Sequence, residues 1–109
     1  MPHPRSVAFA LLGLAIVSGT LAQSSYIPAA GFVPNADVAI AIARAVSVPI
    51  YGAEKIHSEE PLVAEPEGDA WLVHGTLQCS AGPDECIGGT VEVTIMRQDG
   101  RIVRIIHTQ

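Results

Sequence analysis

The side chains able to do chemistry in this 109-residue chain are few: His57, His74 and His107 as candidate bases or metal ligands, Cys79 and Cys86 as a thiol pair, and a crowd of carboxylates. Acid–base or metal chemistry needs such groups to converge, and around His74 no H-x-x-x-H or H-x-E spacing supports a metal. His74 lies in an alternating run and reads as a half-exposed strand residue, while His57, beside Ser58, Glu59 and Glu60, reads as part of a solvated loop. The sequence contains no G-x-S-x-G, no phosphate-binding loop and no G-x-G-x-x-G after a strand, so no catalytic residue, metal or cofactor is expected.

The two cysteines are separated by turn-forming residues, Ser80 to Glu85. In an oxidising compartment they are expected to form a disulfide, and closing a loop of about eight residues contributes roughly 2.5 kcal/mol in the chain-entropy picture. Acids outnumber bases by eleven to six, for a net charge of -5. That is the wrong sign for a phosphate-binding surface, and nucleic acid is not an expected partner. The charge is also split along the chain. Nine acids and one base, Lys55, lie between Glu54 and Glu92, whereas Arg97, Arg101 and Arg104 share the last thirteen residues with Asp99 alone. Such a split can complement a basic face on a protein partner, although it reads more simply as a solvated surface. The candidate contact residues are Tyr51, Glu59, Glu60, Glu65, Glu67 and Asp69.

The elements that must position these residues begin after a leader-like segment. Arg5, the apolar run Val7 to Val17 and the small residues ending at Ala22 read as a secretory signal peptide, cleaved after Ala22. The run is shorter than the 18 or so residues a membrane-crossing helix needs, so a periplasmic or secreted protein with no membrane contact after cleavage is expected. Residues 23–33, with Pro28 and Gly31, read as an extended lead-in, and residues 34–109 as a single domain.

In that domain Asn35 is a good N-cap, Asp37 complements the first turn, and the segment Ala36 to Val48 is apolar around most of its circumference. Pro49 is expected to end or kink this helix, with Gly52 just past its end. Ala53 to Glu60 reads as a connector with one helical turn. Four short runs then read as strands: Leu62–Glu65, Trp71–Leu77, Thr90–Ile95 and Arg101–His107. Asp99-Gly100 marks the last hairpin, where a simple two-residue turn would set Ile95 opposite Arg104 and a bulged one would shift the pairing by one. The fold class is therefore α+β: one main N-terminal helix packed on a three- to four-stranded antiparallel meander, cystatin-like or nuclear-transport-factor-like.

The ordered set Gly31-Phe32-Val33-Pro34-Asn35, Ala39-Ile40-Ala41-Ile42-Ala43, Pro49-Ile50-Tyr51-Gly52, Trp71-Leu72-Val73-His74-Gly75-Thr76-Leu77, Gly88-Gly89-Thr90-Val91-Glu92-Val93 and Asp99-Gly100-Arg101-Ile102 spans nearly all of the chain after the leader. It resembles the bacterial immunity proteins of polymorphic toxin systems, described as having a nuclear-transport-factor-like fold. The resemblance implies a domain that protects its producer by binding a toxin, without cofactor or catalytic residues. Between Leu77 and Gly88 the sequence departs from the family pattern, whose link is shorter and free of cysteine. An exported binding protein neutralising a protein toxin is the leading expectation. The alternative is an envelope structural or assembly domain acting as a homodimer through its apolar helix.

Overall fold

The structure is a computed structural model that describes residues 24–79 and 88–109. Helix α1, Ala36–Tyr51, starts where the Asn35 side chain accepts the Val38 N–H at 3.0 Å, and Asp37 sits in its first turn. It does not stop at Val48. The chain carries Pro49 inside the helix and continues one residue beyond Ile50, ending at Gly52, whose φ of 94° lets its N–H return to the Val48 carbonyl at 2.8 Å. A second helix, α2, Ala53–Ser58, forms within the expected connector, longer than the single turn expected there, and anchors itself through the buried Ile56.

After a cis Glu60–Pro61 bond come β1, Val63–Glu67, and β2, Ala70–His74, joined by Gly68 and Asp69. β3, Val91–Met96, and β4, Ile102–His107, complete an antiparallel sheet in the order β1-β2-β3-β4. The expected meander is therefore present with four strands. β1 runs two residues past its expected end and includes Pro66, which an edge strand tolerates because one side of it carries no ladder. β2 ends at His74 rather than Leu77, because the Thr76 N–H turns away to the Glu59 carbonyl at 2.7 Å and its hydroxyl to the Pro61 carbonyl at 2.6 Å.

The last hairpin is not a two-residue turn. Asp99 has negative φ, the loop spans Arg97 to Gly100, and Met96 pairs its N–H with the Arg101 carbonyl at 2.9 Å. Ile95 then opposes Ile102, and a register shift leaves Val103 unmatched, so Thr94 opposes Arg104 and Val91 opposes His107.

Alternation along these strands sorts the side chains onto two faces. Trp71, Val73, Val91, Val93 and Ile95 point inward and are buried, with Ile102 and Ile105 packed beside them. Against this face α1 lays Ala39, Ala43 and Ser47, small residues one turn apart that let the helix sit close to the sheet. Trp71 fastens the lead-in as well: its indole N–H donates to the Val33 carbonyl at 2.9 Å, and the Arg97 guanidinium lies 4.5 Å over its ring. Among the described residues no helix is long and apolar enough to cross a membrane. The leader and Cys86 lie outside the described residues, so neither the signal peptide nor the Cys79–Cys86 pairing is placed.

Candidate functional site

Glu59 and Glu60 follow α2 side by side, and the fold sends them to different environments. Glu59 is 5% exposed. One carboxylate oxygen accepts the Val91 N–H at 2.7 Å, and the other faces His107 Nε2 at 2.8 Å. The second ring nitrogen of His107, Nδ1, faces the Thr108 carbonyl at 2.9 Å, so the ring bridges the Glu59 carboxylate and that carbonyl. Tyr51, at the end of α1, packs its ring 5.5 Å from the imidazole, centroid to centroid. The Glu59 backbone carbonyl meanwhile holds Thr76. One residue thus joins the end of α2 to the end of β2, the start of β3 and the end of β4.

Gly75 makes this junction possible. A Cβ there would lie 2.9 Å from the Glu59 Cβ and 3.0 Å from its carboxylate, closer than side chains approach one another. Glu59 is consequently not a surface acid, which corrects its place among the candidate contact residues. Its charge is spent internally on a backbone N–H and a histidine. Tyr51 is half-buried against His107 and caps the core.

Glu60 is intermediate. It accepts two bonds from Arg44 of α1, at 2.8 and 3.1 Å, and a third from the Leu62 N–H at 3.1 Å. The Arg44 hydrogen bond holds the Glu60 pKa below its ordinary value, aided by Leu62 and opposed by partial burial; the same pairing raises that of Arg44. This pair clips α1 to the segment after α2 and leaves little of Glu60 for a partner.

The remaining candidates form a continuous exposed feature. Glu65 and Glu67 lie on β1 and Asp69 in the turn that follows it, all exposed. Glu65 has a long contact with His74, 3.7 Å from carboxylate oxygen to Nε2. This ridge follows the outermost strand of the sheet. Among the described residues no group of three or more histidines, cysteines or carboxylates is arranged to hold a metal ion.

Sequence reasoning found the ridge but missed the Glu59–His107 junction. The two residues are separated by almost half the chain, and the one local sign was a glycine, Gly75, breaking an otherwise regular strand pattern.

A helix laid along an antiparallel meander, carrying an acidic outer strand and a sealed inner carboxylate, defines a small α+β domain whose polar chemistry faces outward from one sheet edge. Residues 38–109 match a family model described as NTF2 fold immunity protein. The chain belongs to that family. No curated protein and no solved structure matches it.

Proposed function

We propose that this chain is an exported, non-catalytic protein that neutralises a protein toxin by binding it one to one. The observation that carries the reading is the acidic ridge, Glu65, Glu67 and Asp69, displayed on the edge of an immunity-family domain. Carboxylates held on a strand and its tight turn present charge at fixed spacing, which favours a partner with a basic face and speeds encounter with it. The leader-like first 22 residues support action outside the cytoplasm, where Cys79 and Cys86 would pair.

The test uses the toxin encoded next to this chain's gene. Calorimetry is expected to show a one-to-one complex, and Glu67→Lys with Asp69→Lys to weaken it at least about tenfold, with a shallower dependence on salt. Failure to form any stoichiometric complex with that toxin overturns the reading. Unchanged affinity in the double variant moves the contact off the ridge. Mass spectrometry of the periplasmic fraction is expected to find a chain beginning at Gln23.

A further inference from the structure

Where the lead-in meets the loop between β3 and β4 it closes a cleft of about 480 Å³, a volume in the range of small-ligand sites. One wall is residues 28–31, and the other is Asp69, Met96, Arg97 and Gln98. Backbone bonds tie the walls together. The Gly31 N–H returns to the Pro28 carbonyl at 3.0 Å, and the Phe32 and Val33 N–H groups reach the Gln98 and Arg97 carbonyls at 2.9 and 3.0 Å. The Arg97 N–H in turn reaches the Asp69 carbonyl at 2.9 Å. Gly31 permits the close approach, since a Cβ there would lie 2.5 Å from the Arg97 carbonyl oxygen. The cleft is thus framed by main chain rather than by side chains free to swing away. Its first wall precedes residues 38–109, the stretch that matches the family.

Arg97 brings the one positive charge of this lining and Asp69 the one negative charge. The guanidinium of Arg97 lies 4.5 Å over the Trp71 ring, and among the described residues no acceptor engages its N–H groups. A guanidinium held on an indole keeps its donors in its own plane, directed past the ring, and has already lost much of the freedom that a surface arginine gives up on binding. That planar fork matches a carboxylate.

We propose that this cleft binds a monocarboxylate carried on a short apolar body, the carboxylate accepting from Arg97 and the body lying against Pro28, Ala29, Ala30 and Met96. Asp69 selects the charge of the ligand. A phosphate brings nearly two negative charges beside the Asp69 carboxylate and a monocarboxylate brings one, so repulsion falls more heavily on the phosphate. A free short-chain acid and the terminus of a polypeptide share this chemistry. The inference goes beyond toxin binding and is tested on the purified chain alone.

Trp71 is the only tryptophan of the chain, so its fluorescence reports on the cation above it. Butyrate, titrated at constant ionic strength with chloride as the balancing anion, is expected to change that emission saturably, with half-saturation between about 1 and 50 mM. In nitrogen–proton correlation spectra the same titration is expected to move the amides of Ala29, Gly31 and Arg97. Followed by the Ala29 and Gly31 amides, Arg97→Gln is expected to weaken binding at least about tenfold. Arg97→Lys, which keeps a charge over the ring and loses the fork, is expected to weaken it at least about threefold. Circular dichroism checks that each variant keeps its fold. Inorganic phosphate is expected to bind wild type at least about fivefold more weakly than butyrate, and Asp69→Asn to narrow that gap. Trialanine and its C-terminal amide separate the two sources: binding tighter than that of butyrate and lost on amidation assigns the cleft to a polypeptide terminus, and weaker binding assigns it to a free acid. The inference is overturned if butyrate at about 100 mM leaves Trp71 and these amides unmoved. It is equally overturned if both Arg97 variants bind as wild type does, or if phosphate binds wild type as well as butyrate.

Discussion

The sheet holds two glutamate–histidine pairs, one on each face, and they share little beyond composition. On the inner side Glu59 meets His107 at 2.8 Å, with side chains 6% and 15% exposed. On the outer side Glu65 meets His74 at 3.7 Å, with side chains 62% and 33% exposed. In the first pair the carboxylate also accepts a backbone N–H, the histidine also reaches a carbonyl, and an aromatic ring covers them. In the second, water can do everything the partner does. Surroundings, rather than residue type, turn one pair into part of the architecture and leave the other available at a surface. Glu60 lies between these extremes, half-buried and clipped by Arg44.

The largest effect should follow from breaking the inner pair. Glu59→Ala removes the acceptor of the Val91 N–H and the partner of His107 in one step, and is expected to cost about 3–5 kcal/mol. Urea denaturation followed by circular dichroism measures it, and a domain this small would be left barely folded. Glu59→Gln sharpens the reading. Its carbonyl can still accept from Val91 and its amide N–H can donate to the ring, so it should recover at least half of the loss. If Glu59→Ala cost less than about 1 kcal/mol, in the range of an exposed pair, the inner carboxylate would not be the junction described here.

Next in size is Gly75→Ala. The added methyl would press on the Glu59 side chain and on Thr90, and the neighbours are held by the bonds that make the junction. Overpacking of this kind costs about 1–3 kcal/mol. Combined with Glu59→Gly, which removes both the Cβ at 2.9 Å and the carboxylate oxygen at 3.0 Å, the Gly75 substitution should become cheaper, and the double-mutant cycle reads that coupling directly.

These two positions also mark where sequence reasoning succeeds and fails. The helix was legible because a cap, an acidic first turn and an apolar circumference all point the same way, from Asn35 through Asp37 to Val48. The inward set Val91, Val93 and Ile95 was legible because a period of two leaves no other choice of face. The helix end was legible in part: Gly52 was expected just past it and does cap it, whereas Pro49 lies inside the helix, forfeiting one bond that a single further turn can offset. The last register stayed open because the bulge at Val103 depends on how Arg97 to Gly100 closes, and Asp99-Gly100 is compatible with more than one loop. Glu59 was hidden for a stronger reason. Ser58-Glu59-Glu60 has the composition of a solvated turn, and only the return of β4 brings His107 to it.

A smaller effect separates Glu60 from both of its relatives. Arg44→Ala should cost about 0.5–1 kcal/mol near neutral pH, because the pair is bidentate but Arg44 is nearly half exposed. The Glu60 pKa is lowered in the folded state, so this contribution is fully present above the ordinary carboxylate value of 4.5 and is lost as the pH falls through the lowered one. Wild type and Arg44→Ala should therefore converge in stability in acid, and also in high salt. A difference that survived both would mean that Arg44 stabilises by packing its aliphatic stem rather than by its charge.

The smallest effect belongs to the outer pair. Glu65→Gln, measured by urea denaturation, should change stability by no more than about 0.5 kcal/mol. Its neighbour His74 loses a contact of 3.7 Å that solvent replaces. A large folding penalty at Glu65 would instead make the two glutamate–histidine pairs alike and remove the distinction between the faces.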